Sequence, residues 1–303
     1  MIARRLTRVL ALTATLGISG VATASARAQG TRVLGRRDLL ARSDIAYVPG
    51  ADSSQSLDLY APDHPATTRF PTVVFIHGGG LTSGDRRDLP HATICNNFVQ
   101  AGIACAAVNY RLVPQAKWPA QPRDIAAAIA WTSKNISARG GDPKRIYLFG
   151  HSSGCHLAAL VATDTMYLAT HNLSPRDIAG VIAMGCLLRQ IPPAISDSVE
   201  LRRFFESGKW IYPSLETFTN ADPTLHVGPQ VPSTLVLVAE SEQVQPPILE
   251  NARVFADRMR GAGRPVEVEI LPNRRHMSAL TMMQDPLDPT FLRVVGFVSG
   301  GHR

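Results

Sequence analysis

Five stretches of the chain are apolar without interruption: Val73-Val74-Phe75-Ile76, Ala104-Cys105-Ala106-Ala107-Val108, Ile146-Tyr147-Leu148-Phe149, Val181-Ile182-Ala183-Met184 and Leu235-Val236-Leu237-Val238. Runs of strand length with no polar alternation predict strands buried on both faces, as in the middle of a parallel sheet. Val266 to Leu271 alternates with glutamates and predicts a last, more polar strand. Ile45 to Val48 and Ser56 to Tyr60 flank the turn-forming Pro49-Gly50-Ala51-Asp52-Ser53, which predicts an opening antiparallel hairpin or meander. Between the strands, Asp124 to Ala138 places Ile125, Ile129, Thr132 and Ile136 on one face, and Pro246 to Arg260 spaces Leu249, Val254 and Met259 at helical intervals. The alternation of strands and amphipathic helices predicts an α/β fold, a mostly parallel central sheet flanked by helices on both faces.

Residues 187–231 interrupt this rhythm. They carry Pro192-Pro193, Phe204-Phe205, Trp210 and Tyr212 with no clear period. An irregular insertion of this length inside a compact domain is expected to serve as a cap or pocket wall, with a plain surface excursion as the alternative.

The N-terminus changes the picture of where the chain works. Arg4, Arg5 and Arg8 precede an apolar run from Val9 to Val21, followed by the small-residue cleavage patterns Ala24-Ser25-Ala26 and Ala26-Arg27-Ala28. Residues 1–28 thus read as a secretory signal peptide, which predicts an exported protein, periplasmic or secreted, beginning near Gln29. The run is too short, and too interrupted by Thr13, Thr15, Gly17, Ser19 and Gly20, for the ~20 apolar residues of a membrane span. The Arg4-Arg5 pair leaves the general and twin-arginine routes both open. The remainder, 29–303, is expected to be one domain, with no stable membrane span once the signal is removed.

At 303 residues, 45% hydrophobic and 18% charged, the chain is long enough to bury a sizeable core and is not disordered or fibrous in composition. Its formal charge of +7 includes four arginines and no acid within residues 1–28, leaving +3 without them. That excess is too mild to predict a nucleic-acid partner. Cys105 and Cys186 fall in apolar, strand-like runs, Cys95 in a helix-like stretch, and Cys155 just after Ser152. Pairing is open to an exported protein, but positions so separated read first as buried small residues. They have no metal-ligand spacing. Oligomeric state is not legible.

Gly150-His151-Ser152-Ser153-Gly154 has the Gly-x-Ser-x-Gly form of a nucleophile elbow, in which serine occupies a strained strand-to-helix turn between small residues. Its context agrees, with the apolar Tyr147-Leu148-Phe149 before it and the helix-forming Cys155 to Leu160 after it. Upstream, His77-Gly78-Gly79-Gly80 follows the strand at Val73 to Ile76. Glycines let successive amides turn into one cavity, so the N–H groups of Gly79, Gly80 and Ser153 are candidates for an oxyanion hole. His77 is expected to be structural.

A serine hydroxyl needs a base, and His276, just after the last strand, is the candidate. His171, His226 and His302 read as surface residues, and His156 as a packing residue of the helix after the elbow. The orienting acid should follow the strand at Leu235 to Val238, and no aspartate lies between Asp222 and Asp257. Ala239-Glu240-Ser241-Glu242 offers Glu242, farther into the loop, with Glu240 as the alternative. Ser152, Glu242 and His276 fall in the chain order that this arrangement uses in hydrolases.

Together with Tyr110-Arg111-Leu112-Val113-Pro114 and Gly141-Asp142-Pro143-Lys144-Arg145-Ile146, these motifs resemble the HGGG-loop carboxylesterases, a group that includes bacterial esterases and lipases with feruloyl-esterase-like and arylformamidase-like relatives. The likeness runs from about Ile45 to Val298. It implies the α/β-hydrolase fold, no cofactor, and hydrolysis of a small acyl substrate through an acyl-enzyme. Two positions depart from the group. Aspartate is its common acid, whereas glutamates stand here, and arylformamidase-like members carry tryptophan after the glycine loop, where this chain has Leu81. The expected function is carboxylic ester hydrolysis. The alternatives are an amidase or arylformamidase on the same residues, and a non-catalytic binding protein of the same fold.

Overall fold

The apolar runs form the centre of an eight-stranded sheet. The computed structural model describes residues 40–62, 69–189, 211–243 and 248–300. The proposed signal peptide, the prolines and phenylalanines of 192–205, Trp210 and His302 lie outside those residues. In chain order the strands are β1 (Leu40–Ala46), β2 (Ser56–Tyr60), β3 (Phe70–Ile76), β4 (Ala104–Val108), β5 (Gly141–His151), β6 (Gly180–Met184), β7 (Ser233–Ala239) and β8 (Val266–Leu271). They lie side by side as β1-β2-β4-β3-β5-β6-β7-β8. β1 pairs antiparallel with β2, and β2 antiparallel with β4, while every later pairing is parallel. The opening meander is therefore present, with its first strand earlier than the expected 45–48.

Successive residues of a strand point to opposite faces, and the core divides accordingly. Val74, Ile76, Leu148, Val181, Ala183, Val236 and Val238 join one apolar cluster, whereas Val73, Phe75, Tyr147, Phe149, Ile182, Leu235 and Leu237 join the other. Both faces are buried, which is why these strands are continuously apolar.

The first face is covered by α2 (Ala120–Asn135), α3 (Ser153–Thr163) and α6 (Ile248–Gly261); the second by α1 (Leu89–Gln100) and α8 (Pro289–Val298). Short helices α4 (Thr165–Ala169), α5 (Leu215–Asn220) and α7 (His276–Thr281) complete the described set. The expected helices at 124–138 and 246–260 correspond to α2, which starts four residues earlier, and α6. β8, at the edge, is only partly covered: Arg293 of α8 forms ion pairs with Glu267 and Glu269, which accounts for its polar alternation.

The strand order places the site. From β3 the chain crosses to β4 on one side and later returns to β5 on the other, so the carboxyl ends of β3 and β5 border a topological switch point. A crevice opens there because the two connections leave in opposite directions. The His77 to Gly80 loop leaves β3, and Ser152 leaves β5, at this crevice.

The cysteines depart from the first expectation. They form two disulfides, Cys95–Cys105 with Cα atoms 5.3 Å apart and Cys155–Cys186 with Cα atoms 5.8 Å apart. Cys186 lies beyond the end of β6, in the turn that brings it over α3. Burial was expected for four small side chains; tertiary proximity turns it into covalent pairing.

Candidate active site

Ser152 sits between β5 and α3 with φ +56° and ψ −126°, a conformation that costs a non-glycine residue on the order of 1–3 kcal/mol. The surroundings impose it. A Cβ on Gly150 would lie 2.2 Å from the Gly154 carbonyl oxygen, and one on Gly154 would lie 2.2 Å from the Ile76 oxygen. Side chains at either position would push β5, α3 and β3 apart. The Ser152 amide donates to the Met184 carbonyl at 2.9 Å, prolonging the β5–β6 ladder through the turn.

The loop after β3 runs directly beside the elbow: a Cβ on Gly78 would come within 2.9 Å of Ser152 Cβ. Gly79 and Gly80 adopt φ values of +110° and +62°. The Gly79 carbonyl accepts from the amides of Thr82 and Ser83, and from both of their hydroxyls, each at 3.1 Å. In a trans peptide the carbonyl and the following N–H point oppositely, so four donors on the Gly79 oxygen turn the Gly80 N–H the other way. Among the described residues no backbone carbonyl takes the N–H of Gly79, Gly80 or Ser153. At Ser153 this follows from its place in the first turn of α3.

His77 props this loop from below. It is buried, its Nδ1–H donates to the Gly78 carbonyl at 2.7 Å, its ring stacks on Tyr110 at 4.4 Å, and the Tyr110 hydroxyl donates to its own carbonyl at 2.9 Å. Burial pushes its pKa down to about 4, so the ring is neutral. Farther along, Arg86 and Arg87 pair with Asp44 and Asp58, tying the segment after the glycines to β1 and β2.

His276 opens α7, five residues beyond the end of β8. Its Nδ1 is hydrogen-bonded to Glu242 Oε1. Glu242 closes a single 3-10 turn after β7, is 1% exposed, and its second oxygen accepts from the Ala239 amide at 2.9 Å. Glu240, at the start of the same turn, points outward, where its Oε2 accepts from the Asn273 amide at 2.7 Å. Of the two candidate acids, Glu242 meets the imidazole and Glu240 clamps the loop that carries it. The turn also brings Gly185 close: a Cβ there would stand 3.2 Å from Glu242 Oε1 and 3.3 Å from His276 Nδ1.

Two cavities meet at Gly80, Ser152 and His276. One, of about 500 Å³, extends past Ser83, Asp88, His91, His151 and Met277. The other, of about 310 Å³, is walled by Leu81, Cys186, Leu187, Ile211, Tyr212 and Ile248. His156, expected only to pack, reaches this second wall, with its Nδ1 on the Leu187 carbonyl at 3.1 Å. His171 and His226 lie away from both. Three features of the site were not singled out in the sequence: Gly185, the disulfide partner Cys186, and His151, whose place next to the serine was its only signal. Among the described residues no cluster of three or more His, Cys, Asp or Glu side chains could hold a metal ion, and no helix is long and apolar enough to cross a membrane.

A mostly parallel sheet with an antiparallel start, a serine elbow after β5, a glutamate after β7 and a histidine after β8 are the arrangement of the α/β-hydrolase fold. The chain has the α/β-hydrolase fold, and relatives that it resembles by sequence are named as esterases. Residues 57–179 match the BD-FAE family model. Esterase LipQ of Mycobacterium tuberculosis is 30% identical over 258 residues, covering 80% of this chain and 58% of its own length. Ethyl acetate hydrolase of Pseudomonas putida is 25% identical over 251 residues, covering 77% of this chain and 74% of its own. This chain thus spans somewhat more than half the length of its mycobacterial relatives. Among solved structures, the butyrate-bound esterase Est2 of Thermogutta terrifontis superposes with a TM-score of 0.66 at 24% identity, covering 80% of this chain and 89% of that one.

Proposed function

We propose that the chain is a serine carboxylesterase that hydrolyses a small carboxylic ester through an acyl-enzyme. The observation that carries this reading is the His276–Glu242 hydrogen bond at the mouth shared by two cavities, with Ser152 on its strained turn at the same point. In the proposed cycle His276 takes the Ser152 hydroxyl proton as the oxygen attacks the ester carbonyl, and Glu242 stabilises the resulting imidazolium. The Gly79, Gly80 and Ser153 amides receive the tetrahedral oxyanion, an interaction worth on the order of 3 kcal/mol per donor. Collapse expels the alcohol, which leaves with the proton from His276. Water, activated by the same histidine, then releases the acid and regenerates the serine.

Two cavities on either side of the serine suit the two halves of an ester. Leu187, Ile211 and Tyr212 line the smaller, apolar one, which supports reading 187–231 as a pocket wall. The names of the sequence relatives support esters over amides. Export is proposed on the pattern of residues 1–28, and two disulfides support it, because such bonds persist in oxidising compartments.

The test is a fluorophosphonate label with peptide mapping, followed by turnover of p-nitrophenyl esters of increasing chain length. Label on Ser152 with turnover, and at least about 10⁴-fold loss of kcat in a folded Ser152→Ala variant, are expected. Retained turnover in that variant would remove Ser152 from the mechanism. Labelling with no turnover of any ester would favour the non-catalytic reading.

A further inference from the structure

We infer that His151 is a positioning residue that fixes His276 from behind and ties together the three segments of the site. This rests on the esterase reading for its consequence, though not for its geometry. His151 is the last residue of β5, directly before Ser152, and is 2% exposed. Its Nε2 lies 3.0 Å from the His276 carbonyl oxygen. A carbonyl can only accept, so Nε2 carries the proton and donates it. The His151 and His276 rings are in tilted contact, with centroids 4.7 Å apart and planes 38° from parallel. On its other side, Nδ1 of His151 lies 3.5 Å from where a Gly78 Cβ would stand, against the first glycine of the proposed oxyanion loop.

One side chain therefore touches all three parts. It is joined to the nucleophile through the backbone, to the histidine loop through a hydrogen bond, and to the glycine loop through packing. Glu242 fixes the imidazole of His276 in its plane, through Nδ1, but a single hydrogen bond leaves rotation about that bond free. The His151 ring in tilted contact with the imidazole and the pinned main-chain carbonyl restrict that freedom. Burial, and next to it the neighbouring His276, push the pKa of His151 down to about 4. It stays neutral while His276 cycles through its charged form, so no second positive charge opposes proton uptake.

The experiment compares His151→Leu, which keeps the bulk and removes the donor, with His151→Gln, whose amide nitrogen reaches the Nε2 position. Two measurements are made: p-nitrophenyl butyrate kinetics, and the low-field proton NMR resonance of the His276 Nδ1–H bonded to Glu242. For the Leu variant kcat should fall about 10- to 100-fold with KM within about threefold, as for a group misplaced by a fraction of an ångström. Its low-field resonance should broaden or vanish. The Gln variant should regain most of kcat and the resonance. A Leu variant with native kcat and resonance overturns the inference, as do Leu and Gln variants that lose both equally together with melting temperature. If the wild type hydrolyses no ester, the esterase reading falls, while the resonance still decides the role of His151.

Discussion

Replacing Glu242 with glutamine changes one atom and conflicts with two hydrogen bonds. In the native site both carboxylate oxygens accept, Oε1 from His276 Nδ1–H and Oε2 from the Ala239 amide at 2.9 Å. An amide has only one oxygen. If it faces Ala239, the NH₂ group faces His276 Nδ1 and forces the proton onto the other ring nitrogen, the one that must accept from serine. If it faces His276, two donors confront each other at Ala239, at a cost of about 1–3 kcal/mol for the unsatisfied buried groups. Either way the imidazolium formed during attack loses its counter-charge. Two unit charges about 4 Å apart in an effective dielectric of about 20 attract by about 4 kcal/mol, or close to 10³-fold in rate. With the tautomer penalty, Glu242→Gln should lower kcat by about 10³- to 10⁴-fold and leave KM nearly unchanged, because neither atom contacts the substrate in its ground state. Glu242→Asp should be impaired less, since it keeps the charge but retracts it by one methylene. Glu240→Gln should be mild, because its Oε can still accept from Asn273. Steady-state kinetics on a p-nitrophenyl ester, with circular dichroism to verify folding, decide the matter. A folded Glu242→Gln variant within about tenfold of wild type, or a Glu240→Gln variant that is the more damaged of the two, would refute this reasoning.

The disulfides should separate stability from activity. Closing loops of 10 and 31 residues predicts about 3 and 4 kcal/mol of stabilisation for Cys95–Cys105 and Cys155–Cys186 respectively. Alanine pairs at each should lower the denaturant midpoint by comparable amounts, but only the 155/186 pair should also lower kcat, because Cys186 adjoins Gly185 and lines the smaller cavity. Equal kcat for both pairs would show that this link does not hold the site. Acid should weaken the fold through His77 and His151, whose pKa burial lowers from 6.5 to about 4. Between those values the unfolded chain binds more protons, so stability is fully present above pH 6.5 and is lost as pH falls toward 4, by up to about 3 kcal/mol for each ring. Urea midpoints measured from pH 7 to 4 should fall accordingly, and a flat profile in wild type would contradict the burial of these rings.

The sequence alone determined what depends on near neighbours. A strand buried on both faces must be apolar at every position, so five central strands stood out as unbroken runs, and β8 announced its exposed edge by its glutamates. The elbow was legible because a serine at φ +56°, packed against β3, requires Gly150 and Gly154 on either side. The glycine loop was legible for a similar reason, since Gly79 and Gly80 adopt positive φ that other residues resist. What the tertiary structure alone decided depends on where distant segments cross. Glu240 and Glu242 are equivalent in composition and nearly so in position. A single 3-10 turn sends one inward to His276 and the other outward to Asn273, and no local pattern encodes which. Cys155 and Cys186 lie 31 residues apart and meet because β6 ends over α3. His151 reaches the His276 carbonyl across 125 residues because β5 and the end of β8 open onto the same crevice. Backbone conformation and burial leave their mark residue by residue, whereas the partner of a side chain is set by the order of strands in the sheet, which exists only once the chain has folded.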